Sequence, residues 1–503
     1  MILMPKELKT ISIIFFLVGF GLFGLLNFVP IMTSFLISFQ EFSPFGGIFD
    51  SPWIGLHNFY ALSGFTSVAG LFINSSLFSL TSAVMATLIS LPIAVILGNM
   101  KRGKLRSLLT FALLLPAFIP GSILAMSGTY SIISHVVVDS GPLRMSMILL
   151  GTIRPVAIFS FVGANAAGLY KDKGMSSFSG AVSGIIIAAA VSLVRFLSSD
   201  LDFHNLFHVS IFSPRGIPIT ETFDTFIFRI GFQQLRFSIV SAAWLLKTVM
   251  QMLMAIFAFI IIILCMRSTS RPVTDSDTGE DNSSIFTFLS SFVGIIAVFV
   301  FIVCLVLAFG SATASSSHSY ALGSAIFNNV IVTVISGFLF VGLLFFLTFW
   351  YSININSKLA LLLILMLATV ANNMVGEFIF FRNLGIVNTH IAPALANDFN
   401  WLFVISATYL ASLKIQKPDS FGKLVSALLP YLAVFSGVFI SNVWGNSFNY
   451  MLHVNSHANW GLALWTTYFD SDISFTFWIV VPVILISLIT GLVFVLTNKN
   501  HDS

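Results

Sequence analysis

Twelve long apolar stretches constrain this chain more than any other feature of its sequence. They cover residues 11–38, 71–98, 106–130, 147–169, 180–199, 237–266, 286–309, 322–350, 358–381, 390–412, 424–444 and 473–497. A helix that crosses a bilayer needs about 20 mostly apolar residues, and each stretch is about that long or longer. Only 8% of the residues are charged, whereas soluble domains carry roughly 25%. The sequence therefore predicts an all-α membrane protein with about 12 transmembrane helices.

The positions of the basic residues predict how the chain is oriented. If the N-terminus lies inside, the connections on that side carry 15 of the 23 lysines and arginines. Such residues are enriched in cytoplasmic connections. The first apolar stretch is longer than the roughly 7–15 apolar residues of a signal peptide, so we expect it to remain as a spanning helix. These features predict a multi-pass protein of the cell (plasma) membrane with both termini cytoplasmic.

One polar segment divides the chain into two parts. The stretch "RSTSRPVTDSDTGEDNSS" (267–284) is polar and acidic, which is typical of a flexible linker. We therefore expect a first half (1–266), a cytoplasmic linker (267–285) and a second half (286–503), with six apolar stretches in each half. The second stretches of the halves open similarly, with "FINSSLFSL" and "FNNVIVTV". Two similar halves predict a pseudo-twofold pair with a solute path between them.

Four segments resemble the membrane permease subunits of binding-protein-dependent carbohydrate ABC importers. In the first half, "FSPFGGIFDSPWIGLHNF" (42–59) is similar to the outer loop of the first permease, and "TFIFRIGFQQLRFSIVSAAWLLKTV" (225–249) to the start of its last helix. In the second half, "FFRNLGIVNTHIAP" (380–393) and "LLPYLAVFSGVFISNVWGNSFNYML" (428–452) resemble the second permease. The likeness is nearer to oligosaccharide-uptake pairs than to the maltose pair. Two permeases that are normally separate chains would be fused here.

The resemblance implies a function and partners. A permease of this kind moves a sugar or oligosaccharide by ATPase-driven alternating access, together with two cytoplasmic ABC ATPase subunits and an extracytoplasmic solute-binding lipoprotein. This chain contains no Gly-x-x-x-x-Gly-Lys-Ser/Thr string, so we expect it to be a transport subunit and not an enzyme. We expect no cofactor, and the scattered basic residues do not indicate nucleic-acid binding.

The resemblance also assigns a role to the connection after the fourth stretch of each half. In the family this connection carries a coupling helix with a Glu-Ala-Ala…Gly…Leu-Pro pattern, which docks on the ATPase. "LLP" (428–430) matches its end, and the proline suits the first turn of the next helix. Lys417 replaces the glycine, and "KDKGMSS" (171–177) replaces the pattern in the first half. The implied docking residues are Leu169, Tyr170, Lys171, Asp172, Lys173, Gly174, Lys414, Lys417, Phe421, Gly422, Leu429 and Pro430.

Ionisable, amide and aromatic side chains in or near the stretches are candidates for a solute path. Charged groups are costly in an apolar medium, so their presence there suggests function. The candidates are Arg154, Asn372, Asn373, Glu377, Asp398, Asn400, Trp444 and Asn446. Lys247 is a further charged residue, at a place that is polar in the resembling family. The structural alternatives are snorkelling of the carboxylates and interhelical hydrogen bonding by the asparagines.

Histidine and cysteine give weak signals. His204 with His208, and His453 with His457, have the i, i+4 spacing of a helical metal site. Two ligands without a further motif favour ordinary outer loops, so we expect no metal. Cys265 and Cys304 lie in apolar stretches, which favours a role as small core residues over a disulfide.

Two other functions remain open. A secondary transporter of the twelve-helix facilitator type would also have a central linker, and "GNMKRGKLRS" (98–107) is partly similar to the basic loop of that class, although it lacks an acidic residue. A degenerate permease could instead act as a membrane scaffold or sensor without ATP-coupled transport. The altered coupling connections favour that alternative.

Overall fold

The computed structural model describes residues 6–101, 103–128, 140–198, 220–268, 283–310, 319–355, 357–370, 373–396, 399–415, 420–462, 464 and 473–499. These ranges are predominantly helical and contain no β-strand. The predicted all-α fold is confirmed for this part of the chain.

Ten α-helices lie in the described residues before the predicted linker. They are α1 (Lys6–Ile37), α2 (Gly47–Asp50), α3 (His57–Phe65), α4 (Val68–Gly98), α5 (Lys104–Ala112), α6 (Gly121–Gly128), α7 (Ser140–Lys171), α8 (Ser177–Val194), α9 (Phe223–Phe228) and α10 (Phe237–Ser268). A 3₁₀-helix (Leu115–Phe118) precedes α6, and a π-helical turn (Arg229–Gln233) follows α9.

Ten further α-helices lie in the described residues after the predicted linker. They are α11 (Ser283–Gly310), α12 (Ser319–Ser336), α13 (Gly342–Ile353), α14 (Lys358–Ala368), α15 (Met374–Asn383), α16 (Ile391–Leu395), α17 (Trp401–Lys414), α18 (Phe421–Trp444), α19 (Phe448–His453) and α20 (Ile473–Lys499). A π-helical turn (Gly337–Val341) joins α12 to α13, and a 3₁₀-helix (His457–Asn459) follows α19. We term the end of the bundle where α1 begins proximal and the opposite end distal.

Nine helical segments within the described ranges are long and apolar enough to cross a membrane. They are α1, α4, α7, α8, α10, α11, the joined α12 and α13, α18 and α20. Many of their large apolar side chains are exposed, for example Leu17, Phe292 and Leu492. Apolar side chains on the outside of a helical bundle are the surface that lipid covers. The chain is therefore a multi-pass, all-α membrane protein.

The other three predicted stretches are interrupted. The stretch 106–130 divides into α5, a 3₁₀-helix and α6, because Pro116 and Pro120 in "LLLPAFIPG" cannot donate to the helical ladder. The stretch 358–381 divides into α14 and α15, and 390–412 into α16 and α17. Hydropathy finds apolar length, but it does not show where polar caps interrupt a helix.

The first helix of each half packs against the other half. Helix α1 contacts α13 and α15, and α11 contacts α4, α5 and α6. At two of these contacts a glycine lets the helices approach each other closely. A Cβ at Gly376 of α15 would lie 2.0 Å from the carbonyl oxygen of Pro30 in α1, and one at Gly294 of α11 would lie 2.7 Å from a Leu109 methyl group. Small residues let helix backbones approach in membranes.

Candidate functional site

A cavity of about 440 Å³, lined by both polar and apolar side chains, lies where residues from both sides of the linker meet. Its walls come from α4 and α6 to α8 on one side, and from α14 to α19 on the other. The lining extends from Ala83 and Ile158 in the middle of the bundle to Asn449 and Leu452, beyond the distal end of α18. The volume falls within the roughly 300–1,000 Å³ of small-molecule sites. The position and size suit a solute that enters from the distal end.

The interrupted stretches of the second half place helix N-termini beside this cavity. Asn373 caps α15 and Asn400 caps α17, each through its side-chain oxygen. Met374 and Trp401, the first residues of these helices, line the cavity. The unpaired N–H groups of a first helical turn carry partial positive charge. Interrupted helices place solute-binding groups in this way in many transporters.

Hydrogen bonds at Asn442 join the two walls directly. The Arg154 guanidinium on α7 donates to the amide oxygen of Asn442 on α18. The Asn442 amide nitrogen in turn donates to the carbonyls of Val438 at 2.7 Å and Ala117 at 3.3 Å. Glu377, which is half-buried, lines the same cavity. The wall therefore offers a guanidinium, a carboxylate and amides to a polar solute.

The predicted path residues divide between the cavity and the packing around it. Four of them line the cavity: Arg154, Glu377, Asn400 and Asn446. Asn373 lies elsewhere and holds α15 to α1, because it accepts a 2.5 Å hydrogen bond from the Ser34 hydroxyl. The Trp444 indole donates to the Trp478 carbonyl at 3.0 Å and packs α18 against α20. Asn372 and Asp398 lie outside the described residues. A role for the lining residues in transport stays a prediction.

Other polar lining residues are absent from the sequence-based set. They are Arg195 and Asn442, together with hydroxyls from Ser75, Ser79, Ser82, Ser192, Ser198 and Thr222. Arg195 falls within the apolar stretch 180–199, so the rule that singled out Arg154 could have found it. Asn442 and the hydroxyl residues do not stand out in the sequence as charged residues do, because uncharged polar residues also join helices in membranes.

A buried ion pair lies just behind the cavity wall. Lys247 Nζ on α10 lies 2.5 Å from Asp224 Oδ1 on α9, and both side chains are fully buried. Thr222, two residues before Asp224, lines the cavity. A buried charge is tolerated when a partner and hydrogen bonds compensate its desolvation. This contact accounts for Lys247 by packing alone.

Six phenylalanine rings fill the space between the halves on the proximal side of the cavity. We term them the aromatic seal: Phe111, Phe118, Phe161, Phe403, Phe435 and Phe494. Successive ring centroids lie 4.7 Å apart for Phe403–Phe435, 6.0 Å for Phe435–Phe161, 5.5 Å for Phe161–Phe494, 6.2 Å for Phe494–Phe111 and 5.9 Å for Phe111–Phe118. Phe403 also lines the cavity. Close-packed apolar constrictions exclude water, so we expect these rings to limit the access of water between the cavity and the proximal end.

The first proposed coupling connection is a tight turn. Helix α7 ends at Lys171 and α8 begins at Ser177, and no separate helix lies between them. Gly174 has a φ of +72°. Its N–H donates to the Lys171 carbonyl and the N–H of Met175 to the Tyr170 carbonyl, each at 3.0 Å. This pair of bonds, with a left-handed glycine, is a Schellman termination of a helix.

Several predicted docking residues are bonded within the bundle. The contacts are Lys171 Nζ to the Asn99 carbonyl at 2.8 Å, Arg106 to Asp172 at 4.0 Å, and Lys414 Nζ to Asn498 Oδ1 at 2.8 Å. Phe421 packs between the rings of Phe15 and Phe349. Tyr170 is buried and Leu169 is half-buried, whereas Lys173, Gly174, Gly422 and Leu429 are exposed. Lys417 lies outside the described residues.

Pro430 does not lie in the first turn of a helix, so that prediction is wrong. Helix α18 begins at Phe421 and runs through Pro430 without interruption to Trp444. Ser420 caps the helix by accepting from the Lys423 N–H at 3.4 Å. This cap moves the start of the helix nine residues before the proline. Proline is tolerated inside membrane helices, because neighbouring groups satisfy the freed backbone.

The second histidine pair does not lie on one helix face. His453 ends α19 and His457 begins a 3₁₀-helix. The His453 ring is fully buried against Phe378 and Phe381, whereas His457 packs on Trp460. His204 and His208 lie outside the described residues. Within the described ranges, no group of three or more His, Cys, Asp or Glu residues could hold a metal ion.

Comparison with protein-family models, with curated proteins and with solved structures yields no match for this chain. We therefore infer function from the fold and the cavity, together with the motifs of the sequence.

Proposed function

We propose that this chain is the transmembrane permease component of an ABC-type importer for a sugar or oligosaccharide. It would receive solute from an extracytoplasmic binding lipoprotein and move it by alternating access, driven by two cytoplasmic ATPase subunits. The distal cavity is the site at which solute would bind.

The observation that carries this proposal is the cavity between the halves. Four of the residues that the sequence predicts for a solute path line it, and Arg154 and Asn442 join its two walls. Sugars are recognised by amide and carboxylate hydrogen bonds combined with aromatic faces. The cavity contains Glu377, Asn446 and Trp401, which supply one group of each kind.

The packing of the first helices adds support. Because α1 crosses to the second half and α11 to the first, the contacts of the two halves are reciprocal. A reciprocal arrangement is expected when two related units face each other across a central path. Rocking of one half against the other would then open the cavity alternately to each end.

A specific observation favours a second candidate function, a permease-like scaffold or sensor without ATP-coupled transport. The connection between α7 and α8 is a five-residue turn, 172–176, and not a helix that could dock on an ATPase. Lys171 and Lys414, two of the proposed docking residues, bond within the bundle. Such a protein would keep the cavity as a sensor site.

Identification of partners separates the two functions. The full chain is solubilised gently from native membranes, purified through a terminal tag, and its partners are quantified by mass spectrometry. The importer proposal expects an ABC ATPase at close to two copies per chain, together with an extracytoplasmic binding protein.

A matched pair of variants tests whether the proximal turns make that contact. Lys173→Glu changes an exposed residue of the first turn, whereas Glu41→Lys changes an exposed residue on the distal side. The importer proposal expects loss of ATPase with the first variant alone. If native protein recovers no ATPase while a control permease keeps its own, ATP coupling is excluded and the scaffold or sensor function stands.

A further inference from the structure

An exposed aromatic surface lies on the distal side, in the connection between α1 and α4. The side chains of Phe45 and Phe49 are 98% and 97% exposed, and those of Trp53 and Tyr60 are 61% and 73% exposed. We term these four residues the distal aromatic platform. Large apolar side chains exposed together in one connection suggest a contact with a partner or a membrane.

Hydrogen bonds hold the platform in a fixed position at the end of α1. The buried Asn58 amide donates to the carbonyls of Ser38 at 3.0 Å and Gln40 at 2.9 Å. Gln40 and Trp53 form an isolated antiparallel β-bridge. The Gln40 amide also donates to the Ile48 carbonyl at 3.0 Å, and the Ser43 N–H donates to the Ser51 hydroxyl at 3.0 Å. These bonds hold the backbone that carries the four rings.

The platform continues the lipid-facing surface of α1. The Trp53 ring stacks on Phe39, with centroids 5.3 Å apart and an interplanar angle of 11°, and Phe39 lies 5.3 Å from Phe35. Phe35 is exposed on α1, as are Met32 and Phe28. A run of ring contacts therefore joins the outside of the spanning helix α1 to Trp53, one residue of the platform.

The length of α1 puts the platform at the level of the lipid headgroups. The apolar span of α1 has 28 residues, which is about 42 Å at 1.5 Å per residue. That exceeds the roughly 30 Å hydrocarbon core, so the distal end of α1 reaches the interface. Tryptophan and tyrosine are enriched at that depth, where one edge of the ring is apolar and the other is wet.

The charges of the segment exclude attraction to anionic lipid as the driving force. Between residues 38 and 66 the acidic side chains are Glu41 and Asp50, the one histidine is His57, and there is no lysine or arginine. Membrane attachment through anionic headgroups requires basic side chains. Contact with lipid would therefore depend on burial of the rings in the headgroup–acyl boundary.

We propose that the distal aromatic platform rests on the bilayer, with Phe45, Phe49 and Trp53 inserted at the interface. Its partner is the lipid surface itself, and phosphatidylcholine is sufficient. The platform anchors the distal end of α1 and is independent of any solute in the cavity.

Site-specific fluorescence quenching tests this proposal on the full chain. In a C265S/C304A background, Phe49→Cys is labelled with an environment-sensitive fluorophore and reconstituted in phosphatidylcholine nanodiscs. Quenching by nitroxide attached near the lipid headgroup is compared with quenching by aqueous iodide. Asn455→Cys, an exposed position of a polar distal loop, is the matched control, and Phe45→Cys repeats the test at a second ring.

The two quenchers distinguish the outcomes. We expect lipid nitroxide to quench the label at 49 or 45 at least threefold more than the label at 455, and iodide to show the reverse order. Equal access of iodide at all three positions would overturn the proposal. So would a label at 49 that becomes shielded only after another membrane or extracytoplasmic protein is added, because the platform would then be a protein-docking surface.

Discussion

The distal and proximal ends of the bundle differ in the contacts by which their helices meet. Both bring together helices from the two sides of the linker. At the distal end the walls are separated by a cavity and meet through Arg154 and Asn442. At the proximal end they meet through the aromatic seal, which includes Phe161 and Phe494. The distal end contains a cavity with polar side chains in its walls, and the proximal end contains packed phenylalanine rings.

Under the proposed transport function, this difference would correspond to the state that is open at the distal end. A cavity at one end and a seal at the other form one half of an alternating-access pair. The opposite state would require the rings of the aromatic seal to part. Variants at four positions test this difference between the two ends, and they are given from the largest expected effect on stability to the smallest.

Removal of the lysine behind the distal wall has the largest expected effect. Lys247→Met leaves the buried carboxylate of Asp224 without its lysine and should lower the free energy of unfolding by about 3–5 kcal/mol. Equilibrium unfolding in mixed micelles measures the loss. The double variant Asp224→Asn with Lys247→Met should recover most of it. If both variants are equally unstable, the charge pair is not what stabilises the wall.

Loss of a ring from the aromatic seal should come next. Phe494→Ala removes a fully buried ring and should destabilise the bundle by about 3 kcal/mol, at the low end for buried phenylalanine. The low value is expected because lipid also offers an apolar medium to separated helices. Leu492→Ala, at an exposed position of the same helix, is the control and should cost less than about 1 kcal/mol. Similar losses for both variants would contradict close packing at the seal.

The region around His453, at the distal end of the bundle, should lose stability in acid. Burial against Phe378 and Phe381 lowers the pKa of His453 from 6.5 to about 3. The unfolded state therefore takes up the proton first, and stability falls as pH drops from about 6.5 towards 3. Thermal unfolding at pH 7.5 and pH 5 should show this loss in the native chain and a smaller loss in His453→Phe. An unchanged pH dependence in the variant would show that other groups are responsible.

The smallest effect is expected at the proximal turn. Gly174 has a left-handed backbone with open space around its Cβ position, so Gly174→Ala should cost about 1 kcal/mol through backbone strain alone. Gly422→Ala, in the first turn of α18 and also in open space, should instead stabilise by a few tenths to about 1 kcal/mol. Thermal unfolding measures the change in stability of both variants. Changes of the same sign would contradict the left-handed turn geometry at Gly174.

The sequence predicts the fold class better than the details of the site. Apolar length alone predicts the membrane helices that form without interruption, because spanning segments must satisfy their own backbone. It misses the caps at Asn373 and Asn400, since an asparagine in an apolar stretch carries no sign that its side chain will end a helix. The same limit explains why the prediction that Pro430 lies in the first turn of a helix is wrong. Its context matched the start of a helix, but Ser420 provides the cap.

The candidate site shows the same division. Arg154 and Glu377 stand out in the sequence because charges are rare in apolar stretches. Asn442 does not stand out, since its role depends on the α7 wall, 288 residues away along the chain. The sequence also did not identify Asp224 as the partner of Lys247, because Asp224 lies outside the apolar stretches. Contacts between distant segments decide these roles, and no local pattern encodes them.

The most direct test of the account is which end of the bundle admits solvent to the cavity. Ser79→Cys lines the cavity and is introduced into the C265S/C304A background. Asn455→Cys reports the distal side and Ser426→Cys the proximal side. Each variant is exposed to a membrane-impermeant thiol reagent in right-side-out and in inverted membrane vesicles. We predict that Ser79→Cys reacts from the same side as Asn455→Cys and is protected from the other. Reaction from the side of Ser426→Cys, or from neither side, would contradict a cavity that opens distally above an aromatic seal.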